Sequence, residues 1–294
     1  MGIKRRTRIW TTVGTAALIG GLAGCSEPAS ETPADDVPQS HTEQPAADQQ
    51  AAEPAPAANS WSEGEGEGEG GSGGGEFGID PVAAETDPVV YNIALEVMRA
   101  HYLAGIDAYR AGDHTAGAEM FAHPISEIYI DFEPVLENLG APLFGDTMTD
   151  ASVAPYSGAD EDEIAAQVDA VLAAIDAAAD YAPNSEMTDA QVHAHVLTDL
   201  LERAALQLRV ATDPAAGEAY LDGYGFTAGA ERYAARHLET IAAQSPAAAG
   251  AISGILAQLN AAYPTAVRPE TLAGNPDALV AEVTALKDSI NALP

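Results

Sequence analysis

Cysteine is almost absent from this chain of 294 residues, occurring once, at Cys25. A single thiol excludes an intramolecular disulfide framework and any cysteine-rich zinc or iron–sulfur site. Basic residues are scarce too: 12 Lys and Arg stand against 45 Asp and Glu, a formal net charge of −33. Charge of that sign repels a phosphate backbone at every distance, which excludes nucleic acid as a partner. Aromatic residues make up only 6% of the chain. That low share, with abundant alanine, favours helices over a β-sandwich. The familiar catalytic signatures are missing as well. The chain has no His-Glu-x-x-His pair, no Gly-x-Ser-x-Gly elbow, no phosphate-cradling glycine loop and no Cys-x-x-Cys-His haem site. Without a placed nucleophile or activating base, acyl and phosphoryl chemistry have no visible seat, and a non-enzymatic role is expected.

What is present begins with an address. Lys4, Arg5, Arg6 and Arg8 form a cationic start, and residues 9–22 follow as an apolar run. That run is shorter than the roughly 20 residues a transmembrane helix needs. It closes on Leu22-Ala23-Gly24-Cys25, which resembles the lipobox of bacterial lipoproteins. The resemblance implies cleavage after residue 24, acylation of Cys25 and an anchor on the periplasmic side of the cell envelope. Ser26 stands where inner-membrane lipoproteins of Gram-negative bacteria often carry Asp, so an outer-membrane destination is implied. Acyl chains contribute about 0.8 kcal/mol per buried CH₂, enough for a stable anchor when two or three are attached. The alternative is an ordinary secretory signal that happens to contain a cysteine.

Residues 25–86 read as a tether. Residues 26–86 hold 14 acidic residues and no Lys or Arg, and residues 63–70 alternate strictly between Glu and Gly. So little apolar surface cannot offset chain entropy, and disorder is the expected state. The acidic run could capture cations, but nothing fixes its carboxylates in a coordination geometry, which leaves a solvated spacer.

Residues 87–294 carry 8 basic and 31 acidic residues and show helical periodicity throughout. Asp87-Pro88 looks like an N-cap with proline at the first helical position. Behind it, Tyr91, Leu95, Met98, Tyr102, Ile106 and Tyr109 recur at three- and four-residue steps. Gly112-Asp113 ends that helix and caps a second one, which runs to about residue 138 with a kink or restart at Pro124. Further helices are expected on the stripes Ile164–Val168–Val171–Ile175 and Val192–Val196–Leu200–Leu208. Three more are expected after Asp213-Pro214, over residues 248–259 and over residues 278–293. No stretch alternates with period two. The expectation is an all-α bundle of about six to seven helices.

Three sets of residues could carry function. If the first two helices form an antiparallel hairpin, His101 lies 11 residues before Gly112 and His123 lies 11 after it, at one height. Glu127 follows one turn beyond His123, and Glu119 and Asp131 extend that face. Two imidazoles and a carboxylate suit zinc, iron or copper better than calcium. The alternative is a set of partly buried polar side chains bonded to each other or to backbone. The second set is His193, His195, Asp199 and Glu202, of which the last three share one face that solvation explains; His237 reads as a surface helix end. The third, Glu218-x-Tyr220-x-Asp222-x-Tyr224-Gly225-Phe226, suits a core with polar tips or the wall of a ligand site.

Together, His101-x-x-x-Gly105, Ala122-His123-Pro124-x-x-Glu127-x-Tyr129 and Tyr220-x-Asp222-x-Tyr224-Gly225-Phe226 resemble helical periplasmic domains associated with bacterial high-affinity iron permeases. More distantly they resemble imelysin-like iron-uptake proteins. The resemblance spans about residues 90–240. It implies an exported accessory role in metal uptake, a transition metal ion as ligand and a transporter or other envelope protein as partner. Imelysin-like members carry Gly-x-His-x-x-Glu; here Phe121 stands in the glycine position and Glu127 lies one residue farther on. Two other functions stay open: a structural or partner-binding scaffold lipoprotein without a metal site, and, third, an imelysin-like peptidase.

Overall fold

A computed structural model describes residues 78–292, all within one compact unit. The signal segment, Cys25 and the tether up to residue 77 lie outside the described residues. The described part is an all-α bundle. Its helices are α1 (Pro81–Ala84), α2 (Pro88–Arg110), α3 (His114–Pro124), α4 (Ile130–Leu139) and α5 (Gly145–Val153). They continue with α6 (Glu161–Ala179), α7 (Asp189–Val210), α8 (Gly217–Gln244), α9 (Pro246–Ala262) and α10 (Pro276–Asn291).

Short side chains set the helix starts. The Asp87 carboxylate accepts from the Val89 amide at 2.8 Å, and Asp113 accepts from Ala116. Asp160 with Glu163, and Thr188 with Gln191, close full capping boxes. Gly112 (φ +95°) and Gly140 (φ +75°) take the left-handed conformation that ends α2 and α4. Gly112 thereby turns α2 and α3 into the expected hairpin.

α2 is the axis of the bundle. It packs against α3, α6, α7 and α8, and side chains on every face of it are buried. A helix enclosed on all sides carries whatever polar residues it holds into the interior. Here these are Glu96, Arg99 and His101, which are 3%, 0% and 2% exposed. Glu96 and Arg99 are held in an ion network with Asp176 and Arg236, to which Arg232 adds a contact with Asp176 at 3.5 Å. Arg99 donates to Glu96 (2.9 Å) and Asp176 (2.6 Å), and Arg236 of α8 reaches the same two carboxylates at 2.9 and 2.7 Å.

Glycines let α2 be approached closely. A Cβ on Gly105 would sit 2.6 Å from Phe121 Cε1, and one on Gly117 would sit 2.7 Å from the Gly105 carbonyl. On the other flank, a Cβ on Gly225 of α8 would lie 2.6 Å from the Ala100 carbonyl.

Two boundaries differ from expectation. The folded part starts before residue 87: Ile79 (6% exposed) and Ala84 (0%) are buried, and α1 packs on α2 and α4. Residues 78–86 therefore belong to the folded part. In addition, α5 joins the expected helices. Tyr129 holds its start, since the phenolic oxygen accepts from the Phe144 and Gly145 amides at 2.9 and 2.8 Å.

Candidate functional site

His101, His123 and Glu127 come together. Each offers one ligand atom, and these atoms all lie within 4.8 Å of one another. Among the described residues this is the one such group of three His, Cys, Asp or Glu side chains. His101 is on α2, one turn before Gly105, and His123 is in the last turn of α3. The Gly105–Gly117 contact brings the two backbones close enough for the imidazoles to meet, with centroids 6.3 Å apart and planes at 73°.

Pro124 shapes the third ligand. Without an N–H it cannot continue the i→i−4 ladder, and the Ile125 amide bonds back to Ala122, only three residues away. The chain then widens into a five-residue π turn, Ile125–Tyr129, with the Ile130 amide bonded to the Ile125 carbonyl. Such widened turns recur where a side chain must be re-aimed for function. Glu127 sits inside it with Oε2 shielded from solvent, beside Ile79 and Pro81 of the N-terminal segment.

The hydrogen bonding of His101 decides its tautomer. Nδ1 lies 2.9 Å from the Val97 carbonyl oxygen. A carbonyl only accepts, so Nδ1 carries the proton, and in the neutral ring Nε2 keeps a lone pair. A histidine that gives its other N–H to a backbone carbonyl is a common arrangement behind a metal ligand, because it fixes the ring and raises the basicity of the donor nitrogen. Phe226 stands edge-on to this ring at 6.3 Å, placed there by the close approach at Gly225. His123 is looser: its side chain is 26% exposed, and its Nδ1 lies 3.8 Å from Glu218 Oε1.

Glu119 and Asp131 point outward and do not join the cluster. Glu119 instead lines a cavity of about 610 Å³ with His123, Asp113, Glu218 and Arg268, among apolar walls that include Met120 and Leu221.

The second set does not converge on one point. Asp199 pairs with Arg203 at 2.6 Å, Glu202 pairs with Lys287 of α10 at 2.6 Å, and His195 is half-buried. This face is therefore packed and paired. His193 turns the other way and stacks on His237 at 3.7 Å, with Nδ1 2.8 Å from the Tyr233 hydroxyl. His237 is thus a stacked, half-buried ring, not a surface helix end. Burial, then the neighbouring His193 and Arg236, pushes its pKa down to about 4.

The third set divides by residue. The hydroxyls of Tyr220 and Tyr224 donate to the Thr265 carbonyl and to Asp107, both at 2.7 Å. Asp222 is buried. These residues are core with satisfied polar tips. Within this set, Phe226 packs on His101 and Glu218 approaches His123, contacts that no local sequence pattern signals.

No family model, no curated protein and no solved structure matches this chain. No described helix is long and apolar enough to cross a membrane.

Proposed function

We propose that this chain is an exported, lipid-anchored helical-bundle protein that binds a transition metal ion through His101, His123 and Glu127. In this reading it serves metal uptake, iron first, as a non-enzymatic accessory to an envelope transporter. The observation that carries it is the convergence of three ligand atoms within 4.8 Å around an imidazole whose Nδ1–H is committed to Val97. Two nitrogens and one oxygen form a borderline donor set that suits zinc, ferrous iron or copper and not a hard, oxygen-seeking calcium ion. Tetrahedral bonds of 2.0–2.1 Å would bring the ligand atoms to about 3.4 Å apart. The partly exposed His123 and Glu127 have room for that small closure. The lipobox at Leu22-Ala23-Gly24-Cys25 supports the anchor, and the iron assignment rests on the resemblance to permease-associated domains.

The test is a titration of the purified protein with zinc, copper and ferrous iron, following the thermal midpoint. An ion that binds only the folded state adds RT ln(1 + [L]/Kd), about 2.7 kcal/mol at a hundredfold excess over Kd. Wild type should respond and His123→Ala should not. Equal responses, or none, leave the scaffold reading in first place. Mass spectrometry of the mature N-terminus decides the anchor: an acylated Cys25 supports it, and an unmodified or uncleaved terminus sinks it.

A further inference from the structure

The metal site has a partner that the sequence hides, 95 positions beyond His123. We infer that Glu218, at the start of α8, positions His123 for the metal by accepting its Nδ1–H. The inference rests on the metal reading above and adds a positioning residue and an entry side to it.

The geometry supplies three reasons. First, Glu218 Oε1 already lies 3.8 Å from His123 Nδ1, so a small rotation of a side chain 68% exposed completes the hydrogen bond. Second, the two nitrogens of an imidazole leave the ring on different sides. A ring that gives its Nδ1–H to Glu218 presents the lone pair of Nε2 on the opposite side, away from Glu218. His101 has the same division of labour, with the Val97 carbonyl in place of the carboxylate. Both histidines then coordinate through Nε2, each tautomer fixed by an acceptor behind the ring. The two acceptors differ in strength. The carbonyl belongs to the buried α2 and is always in place, whereas the carboxylate is charged and mobile, so His123 is the ligand whose orientation can be set on arrival of the ion.

Third, His123 and Glu218 both line the cavity of about 610 Å³, as do Asp113 and Glu119. His101 is 2% exposed, and of the three ligands only His123 lines this cavity. A hydrated divalent cation reaching the cavity meets Glu218 and His123 first and His101 last.

The experiment uses the full chain and zinc, a redox-silent probe, with wild type, Glu218→Ala and Glu218→Gln. Affinities come from competition with a chelating dye, and the proton on His123 is located by long-range ¹⁵N imidazole spectra. Alanine removes the acceptor and should weaken zinc binding about 10–100-fold, the usual effect of losing such a partner. Glutamine retains an oxygen that accepts the same N–H and should recover most of that loss. In the zinc form of wild type, His123 should carry its proton on Nδ1. The metal-free thermal midpoint should not move in either variant, because the side chain is exposed. If alanine binds zinc as wild type does, Glu218 has no part in the site. If glutamine is as weak as alanine, the carboxylate is itself a ligand or a charge requirement, and the positioning role is overturned. If wild type binds no zinc, copper or ferrous iron, the metal reading itself has failed, an outcome separate from both.

Discussion

The interior of α2 holds an acid, a base and an imidazole within six positions, and each is stabilised differently. Burial alone pushes the carboxyl of Glu96 up, against the pull of Arg99 and Arg236. Asp176, at the edge of the same network, feels burial too, but the two guanidiniums outweigh it and hold its carboxyl below the usual range. Such a network is weak evidence for stability yet costly to break, since removing Arg99 leaves the buried Glu96 with one of its two guanidinium partners gone. Arg99→Met should therefore destabilise the fold by about 3–5 kcal/mol, read from urea denaturation. Adding Glu96→Gln should recover part of that loss, and a loss with no recovery would mean that the methionine simply fails to pack. At this scale the site was partly legible. Equal offsets from Gly112 announced the two histidines, because a hairpin converts sequence symmetry into equal height. Glu218 stood in a candidate set, but its pairing with His123 was illegible for the opposite reason: it depends on how α8 crosses α2, and no local pattern encodes that.

Among the elements, the α2–α3 hairpin does most to assemble the site, and its two glycines are where the backbones touch. Gly105→Ala would place a Cβ 2.6 Å from Phe121 Cε1 and 3.0 Å from the Gly117 carbonyl. Phe121 is fully buried and stacks on Tyr102 at 5.9 Å, so it has little room to yield. The substitution should cost about 1–3 kcal/mol by overpacking. The opposite sign is expected for Gly254→Ala in α9, where an added Cβ meets nothing within 4 Å. There, relief of backbone entropy should stabilise by about 0.5–1 kcal/mol. Thermal midpoints of the two variants check both signs; an unchanged or raised midpoint for Gly105→Ala contradicts the close crossing. The elements also show why sequence patterns identified most helices and missed two short ones. α2, α6 and α7 have long apolar stripes and side-chain caps, signals that survive out of context. α5 has Thr, Asp and Ser at most positions and buries only Met148 and Ala151; its start depends on a tyrosine 16 residues away. The segment before residue 87 is similar. Ile79 and Ala84 are ordinary residues in an acidic, glycine-rich neighbourhood, and only their fit against α2 and α4 marks them as folded.

For the whole molecule the dominant fact is charge, and acid acts on it in two opposing ways. At neutral pH the chain carries −33, and self-repulsion works against the compact state. Protonating surface carboxylates relieves that repulsion as pH falls. The stacked His193–His237 pair works in the other direction. Burial first, and then the neighbouring imidazole and Arg236, holds His237 down to about 4 in the folded state, whereas an unfolded histidine titrates near 6.5. Between those values the unfolded chain binds a proton that the folded chain refuses. The stability this ring contributes is therefore fully present above about pH 6.5 and is lost as pH falls toward about 4. His193 and His195 are lowered too, mainly by burial, and add to the same slope. Asp176 acts in a separate window: its depressed pKa contributes stability above its ordinary 3.8 and loses it only below that. Glu96, raised by burial, has the opposite sign and gains on acidification. These carboxylate effects are common to wild type and to a variant that changes only the ring, so their difference isolates the histidine. His237→Phe keeps an aromatic ring against His193 but cannot take a proton. Urea unfolding at pH 7, 6, 5 and 4.5 should show wild type losing more stability than His237→Phe across that range, with the gap opening below pH 6.5. Parallel curves would show that His237 titrates alike in both states and that its stacking on His193 imposes no resistance to acid.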